Sequence, residues 1–257
     1  MSNMKSYDYE LPNELIALTP QHPRSSSRML VYCNNKIIDS NFTNLCNYLN
    51  PNDRLIFNDT KVLPAKLNGT RFRDSPNGSG ISNISVLLNE RLNTSQWTTL
   101  CKPARRLSVG DKIVFSPSLT AIVCQKTFGE CVLTFSKIGI SLDSEIFNIG
   151  ELPLPPYIIK SRKYKNSDDD DYQSIFAENL GAVASPTASL HFDNDLIKKI
   201  KKTAINYSFV TLHVGAGTFL PIKSEDFSNH KMHAERGFVS EQTASEINET
   251  IFNGGRI

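Results

Sequence analysis

The sequence predicts a mixed α/β protein, a discontinuous α/β domain interrupted by an inserted small β-barrel. Three observations carry this reading. Helix and strand patterns alternate at both ends of the 257 residues, the middle holds short β-rich runs only, and the proline-rich PLPPYI (residues 153–158) marks the return. The boundaries that follow are 1–61 for the first part of the α/β domain, 62–152 for the barrel and 153–257 for the second part. A chain of this length can bury two cores.

The elements follow in order. Residues 12–18 read as a short helix with Pro12 suited to its first turn. RMLVYC and KIID flank Asn34-Asn35 and predict a hairpin. Phe42, Leu45, Cys46 and Leu49 recur at helical spacing, so 43–49 reads as a helix, and RLIFND follows as an apolar strand ending at Asn58 and Asp59. VLPAKL, NISVLL, QWTTLC, DKIVFS, LTAIVCQ and ECVLTFS supply the strands of the barrel up to about Phe147, with the polar SPNGSGISN (75–83) as a hairpin tip. PLPPYI reads as an extended linker, because each proline restricts the residue before it. The acidic run Asp168 to Asp171 reads as a solvated loop or helix entry, and DYQSIFAE as helical. FDNDLIKKIKKTAI predicts an amphipathic helix capped by Asp193, and SFVTLHV predicts a strand. SEQTASEINETIFNGG predicts a helix with Ala244, Ile247 and Ile251 on one face and Gly254 as its stop. Arg256-Ile257 resembles the start of a further strand, so the second part of the α/β domain is expected to be incomplete.

Composition narrows the function classes. The net charge of +2 gives no global basic field for nucleic acid, although a local basic face remains open. Five cysteines without a CxxC pair read as buried reduced thiols of a reducing, cytoplasmic protein. The N-terminus lacks an apolar signal region, and no run has membrane-spanning length.

The chemistry concentrates in residues 181–235, which hold His191, His213, His230 and His233. TLHVGAGTF sets Gly215 and Gly217 after a strand, as in a nucleotide-binding loop. The third glycine is missing and Pro221 opposes a following helix, so a tight turn is the simpler reading and a Rossmann dehydrogenase is disfavoured. HKMHAE offers His230, His233 and Glu235, and with His213 the two histidines would make three metal ligands. The spacing is not HExxH, so proton transfer or ligand hydrogen bonding suits these histidines better. Any one of them can equally be structural, His191 most of all. FNDTKVLPAKL combines Asn58, Asp59 and Thr60 at a strand end, where α/β folds collect ligands, with Lys61 and Lys66 beside them. Turn chemistry is the plainer role for Asn58 and Asp59. Lys198, Lys199, Lys201, Lys202, Arg105 and Arg106 are candidate phosphate contacts, although a solvated helix face explains the lysines as well. Trp97 and Tyr157 are candidate stacking platforms, with core packing the plainer role for Trp97.

Taken together, YDYELPNELIALTPQHPRSSSRMLV, RLIFNDTKVLPAKL, LPLPPYI, DYQSIFAENLGAVASPTASLHF, TLHVGAGTFLPI and HKMHAE resemble the S-adenosylmethionine:tRNA ribosyltransferase-isomerase family of queuosine biosynthesis, collinearly from Tyr7 to Arg256. The resemblance implies transfer and isomerisation of the ribosyl moiety of S-adenosylmethionine onto 7-aminomethyl-7-deazaguanine in tRNA. Epoxyqueuosine-tRNA forms, and adenine and methionine leave. It implies no metal and no cofactor, since S-adenosylmethionine is a consumed donor, and no membrane partner. A cytoplasmic monomer is expected. Set on this sequence, the chemistry assigns proton transfer to His213 or His233 and a sugar hydroxyl to Asp59. Gly215, Ala216, Gly217 and Thr218 would line the donor pocket, Pro186, Thr187 and His191 its other wall, with His230 and Glu235 as further substrate contacts. Arg28, Lys61 and Lys66 would contact tRNA.

The sequence departs from the family pattern in places. Ser25 replaces a usual aspartate, Ser189 a usual glycine and Ser85 a usual glutamate. Lys61 and Lys66 replace arginines and lose the bidentate fork. Family members continue past the equivalent of Arg256 into Gly-Thr-Thr and Asn-Phe-His-Leu-Pro segments. The competing expectation is therefore a truncated, inactive remnant with residual tRNA binding or none, and a metal-dependent hydrolase stands third.

Overall fold

The computed structural model describes residues 4–73, 80–127, 130–222, 226–230 and 232–257. Most of the polar hairpin tip expected at 75–83 lies outside them. The chain divides into two compact units: Met1–Lys61 with Pro155–Val214 and Leu220–Ile257, and Val62–Leu154 with Gly215–Phe219. The fold is mixed α/β, with a closed antiparallel barrel of six strands inserted in the α/β part.

In the first unit, β1 (Arg28–Cys33) and β2 (Lys36–Asn41) form the expected hairpin. Asn34 and Asn35 both take positive φ, 50° and 60°, the primed turn that matches strand twist. Residues 12–18 carry only a single 3-10 turn, Asn13–Leu15, with Pro12 before it rather than inside it. Residues 43–49 likewise form a 3-10 segment, Phe42–Tyr48, in place of an α-helix. β3 (Arg54–Asn58) is the apolar strand, and β4 (Thr60–Val62) follows after one residue.

The barrel comprises β5 (Lys66–Arg73), β6 (Gly80–Arg91), β7 (Gln96–Lys102), β8 (Lys112–Ser116), β9 (Leu119–Thr127) and β10 (Glu130–Phe135). It closes in the order β10-β7-β6-β5-β8-β9, which leaves no free edge. Alternate residues point inward, so Leu67, Ile84, Val86, Leu88, Ile113, Val123 and Leu133 fill the interior. Trp97 is buried there too, as the plainer reading had it, and a stacking role is closed to it. The strand pattern ends before Phe147: α1 (Gly139–Ile149) is a helix that buries Leu142 and Ile146. Its apolar residues fall on both sides of the helix, Leu142 and Ile146 buried and Ile140 and Phe147 exposed, and read as a strand when taken alone.

The return segment is shorter than expected, because α2 (Pro156–Ser161) begins inside PLPPYI with Pro156 in its first turn. α3 (Asp168–Asp171) is one turn, and Asp168 is buried rather than solvated. Arg162 grips both Asp168 oxygens at 2.8 and 2.6 Å and holds its carboxyl below the usual range. DYQSIFAE forms turns, not a helix, and leads into β11 (Asn179–Ala182). α4 (Asn194–Ile200) is capped as predicted, Asp193 Oδ1 accepting from the Leu196 N–H at 2.9 Å. β12 (Asn206–His213) runs parallel to β3, and β13 (Arg236–Phe238) pairs antiparallel on its other side. α5 (Glu241–Phe252) starts on Ser240 and stops at Gly254, φ +78°. Its buried positions are Thr243 and Thr250, with Ala244 and Ile247 half-buried and Ile251 exposed.

Phe57, Phe192, Leu196, Ile200 and Ile205 form the core of this unit, with Phe42, Leu45, Cys46 and Leu49 packed against it. The 3-10 segment thus buries the residues whose spacing marked it. Arg256 lies beside β3, its carbonyl accepting from the Arg54 N–H at 2.8 Å, without forming a strand.

Candidate active site

The parallel pairing of β3 and β12 is what builds the site. Asn206 to Val210 pair in register with Arg54 to Asn58, so β3 ends opposite Val210 while β12 runs on to His213, at the C-terminal edge where ligands usually lie in a parallel sheet. Asn58 locks the two ends together. Its Oδ1 accepts from Leu212 N–H at 3.0 Å and Thr60 N–H at 3.1 Å, while its amide donates to Leu212 O at 2.8 Å.

Asp59 is held on every side except one. Its N–H donates to Val210 O at 3.0 Å, and its carbonyl accepts from Glu178 and Asn179 N–H at 2.8 and 3.0 Å. Thr211 donates its hydroxyl to Asp59 Oδ1 at 2.7 Å, which orients the carboxylate and leaves the second oxygen for another donor. Asn179 Nδ2 donates to the same Thr211 oxygen at 3.3 Å.

His213 ends β12 one strand position beyond, half-buried. Its Nδ1 is 2.7 Å from the hydroxyl of buried Thr60, and that hydroxyl is also 3.4 Å from Asn179 O. One hydroxyl proton serves both neighbours, so its direction fixes which ring nitrogen carries hydrogen. The ring lies directly on Gly181. A Cβ there would sit 2.6 Å from His213 Cε1 and Nδ1, so no side chain fits. Val183 and Ala184 N–H both donate to Val214 O, at 2.8 and 3.2 Å, and tie GAVASP to the end of β12. Tyr172, its phenol pushed up to about 12 by burial, bonds the Ser185 backbone and holds the same segment.

The structure therefore brings together Asp59 and His213 among the expected residues. It gives Thr60, which the sequence places beside Asp59 at the strand end, a contact to His213, and it adds Asn179, Gly181 and Thr211, which the sequence reading missed. Residue spacing gave no signal for these contacts, since Thr60 and His213 are 153 residues apart. Arg236, paired with His213 across β13, is a further neighbour the reading passed over.

His191 stacks its ring 5.2 Å from Phe42, at the end of the 3-10 turn Thr187–His191 that Pro186 precedes. His233 and Glu235 are exposed and His230 is half-buried. Gly215, Ala216, Gly217 and Thr218 group with the barrel unit, where Asn89 Oδ1 accepts from Ala216 N–H at 3.3 Å. Ala216, Gly217 and Thr218 themselves form the 3-10 turn Ala216–Phe219, and among the described residues no helix of nucleotide-binding length follows directly.

The phosphate candidates separate. Lys66 is engaged by Glu151 at 2.7 Å and Arg28 by Asp39 at 3.2 Å, while Lys61 is exposed. Among the described residues no three His, Cys, Asp or Glu side chains cluster to hold a metal ion, and no helix is long and apolar enough to cross a membrane. The thiols depart from expectation: Cys101 and Cys131 are buried, Cys46 is half-buried, and Cys33 and Cys124 are exposed.

Comparison with known proteins places these residues in a family. The family model described as "Queuosine biosynthesis protein" matches residues 4–257. An S-adenosylmethionine:tRNA ribosyltransferase-isomerase from Roseobacter denitrificans is 45% identical over 254 residues, spanning 99% of this chain and 72% of its own. One of the same name from Dinoroseobacter shibae is 45% identical over 256 residues, with the same coverage. The crystal structure of an S-adenosylmethionine tRNA ribosyltransferase from Thermotoga maritima is 28% identical and covers 98% of this chain and 67% of that one, with a TM-score of 0.41. With the match running from the first described residue to Ile257, the chain belongs to the queuosine biosynthesis protein family.

Proposed function

We propose that the chain transfers and isomerises the ribosyl moiety of S-adenosylmethionine onto 7-aminomethyl-7-deazaguanine in tRNA, releasing adenine and methionine. Family membership over nearly the whole chain supports the reaction. The observation that carries the assignment of roles is the convergence of Asp59 and His213 at the ends of two paired parallel strands.

The chemistry needs a base for the carbon beside the sulfonium, a hydroxyl anchor for the ribose and a donor for the departing adenine. His213 suits the base. With Thr60 donating to Asn179 O, its oxygen accepts the Nδ1 proton and leaves Nε2 as the proton acceptor. Asp59, oriented through Oδ1 by Thr211, offers Oδ2 to a ribose hydroxyl. Gly181 gives the His213 ring its place. The Gly215 to Thr218 backbone, with Pro186, Thr187 and His191, belongs to the same proposal as donor contacts, and so do His230, His233 and Glu235 for the remaining substrate. A cytoplasmic, monomeric chain is part of this reading.

The test incubates the 257-residue chain with S-adenosylmethionine and tRNA carrying the modified base, and measures adenine and methionine release. Stoichiometric release with ribosyl transfer to the tRNA is expected. Absence of both from folded protein would sink the assignment.

A further inference from the structure

The outer face of the barrel presents a patch that the reaction chemistry does not use. Three rows cross its strands in register. Asn68 lies opposite Ser85, and Ser85 opposite Lys102; Thr70 lies opposite Asn83; Phe72 lies opposite both Ile81 and Lys112. Their neighbours Leu67, Arg71, Ile84, Val86 and Ile113 are buried inside, so alternation turns these rows outward. The middle of the face is a concavity of about 430 Å³ lined by Asn68, Thr70, Asn83, Ser85 and Lys102, with Gly69 and Ile84 between them.

Three features of the patch fit a nucleic-acid strand. First, its charge is one-sided. Lys102 and Lys112 are exposed, as are Arg105 and Arg106 in the 3-10 turn Ala104–Arg106 just after β7, and none of the four has an ion-pair partner among the described residues. No acid stands on the three rows. The adjoining Glu151 is engaged by Lys66 at 2.7 Å and by the Asn68 amide at 3.2 Å. Second, the floor offers amides and hydroxyls, which bond phosphate and sugar oxygens without reading bases. Third, Phe72 and Ile81 are 53% and 65% exposed side by side, an apolar platform at the rim on which a base can stack. The lysines of α4 lack these features: Lys198 is paired with Asp195, and Lys199 donates to Thr43 O.

We propose that this face, from Lys112 and Phe72 through Thr70 and Asn83 to Lys102 and Arg105, holds the sugar-phosphate backbone of the RNA substrate. The proposal rests on the reading that the substrate is a tRNA, and it assigns RNA affinity to the barrel. With a net charge of only +2, the chain draws its attraction for RNA from this local field.

The test measures binding of labelled tRNA to the 257-residue chain over a series of salt concentrations, with melting curves to verify folding. Reversing two charges together, Lys102→Glu with Arg105→Glu, is expected to weaken binding about tenfold or more and to reduce the salt slope by about 1 to 2. Phe72→Ala is expected to weaken it about fivefold, with the salt slope kept. Lys198→Glu with Lys202→Glu is the control and is expected to change affinity less than about twofold. The milder pair Lys102→Gln with Arg105→Gln reads the same effect if the reversal impairs folding. Barrel variants that bind as the parent does, beside a parent that binds tRNA and releases adenine, overturn this proposal and leave the reaction standing. A folded parent that neither binds tRNA nor releases adenine overturns both.

Discussion

The buried Thr60 hydroxyl lies 2.7 Å from His213 Nδ1, a side-chain hydrogen bond that orients this ring. Thr60 is itself fixed by Asn58, whose side chain accepts from its N–H, so the orientation passes from strand end to strand end. Thr60→Val keeps the shape and removes the acceptor. Adenine release is expected to fall about tenfold or more in kcat, with KM for S-adenosylmethionine nearly unchanged. Thr60→Ser, which restores the hydroxyl, is expected to recover most of the rate. Equal rates for the valine and serine variants would remove Thr60 from this role.

Gly181 constrains the same ring from its face. An added methyl at this position would stand 2.6 Å from two His213 ring atoms, so Gly181→Ala forces the imidazole away from Thr60. We expect a loss in kcat comparable to that of Thr60→Val, with circular dichroism unchanged. A double variant should cost little more than either single one, because both act through one side chain. Additive losses would mean that the two residues act separately.

The thiols give a test of the barrel interior. Cys101 and Cys131 are buried within it, whereas Cys33 and Cys124 are exposed. A colorimetric thiol titration of the native chain is expected to show about two fast-reacting groups, with Cys46 slower and the barrel pair reacting only on unfolding. Fast reaction of Cys101 or Cys131, found by peptide mapping, would contradict a closed, well-packed barrel.

Much of the fold is legible in local sequence because its causes are local. Asn34-Asn35 tolerates the positive φ that a primed turn requires, and Asp193 caps α4 three residues ahead of its acceptor bond. Alternating runs such as KIVFS and ECVLTF already say which side faces in. The misread segments are those where a short pattern serves two structures. The helix α1 has β-like residues in a strand-length run, and DYQSIFAE has helix-like composition but forms turns that place Tyr172 and Phe176 against the structure around them. Pro155 and Pro156 read as an extended linker, yet a proline is also a natural first residue of a helix, as in α2. At the candidate site, Asp59 and His213 stood out as strand-end residues of reactive type. Asn179 and Gly181 did not, since a strand asparagine and a glycine become informative only once β3 and β12 pair, and Thr60, beside Asp59 in the same motif, gains its role toward His213 only there.

Acid stability should turn on Asp53, which ties the residues before β3 to Arg256. Its buried carboxylate accepts from Asn50 N–H at 2.7 Å and from Arg256 N–H at 3.2 Å, and the Arg256 guanidinium bonds both its oxygens. That guanidinium is the largest influence and holds the carboxyl far below its ordinary value of 3.8, against the opposing effect of burial. A depressed folded-state pKa means that the unfolded chain binds the proton more readily. The stabilisation is therefore fully present above about pH 4 to 5 and drains away as pH falls toward the folded-state value. Asp53→Asn keeps the size but cannot carry the charge, and Arg256 then loses its charged acceptor. Hydrogen bonds to a charged group contribute about 1.5–3 kcal/mol each to stability, and the exposed side of Arg256 reduces the effect, so a loss of about 1–2 kcal/mol at pH 7 is expected. The gap between parent and variant melting temperatures should narrow as the buffer is taken from pH 7 to pH 3. A gap that stays constant across that range would show that the Asp53 charge contributes nothing to folding.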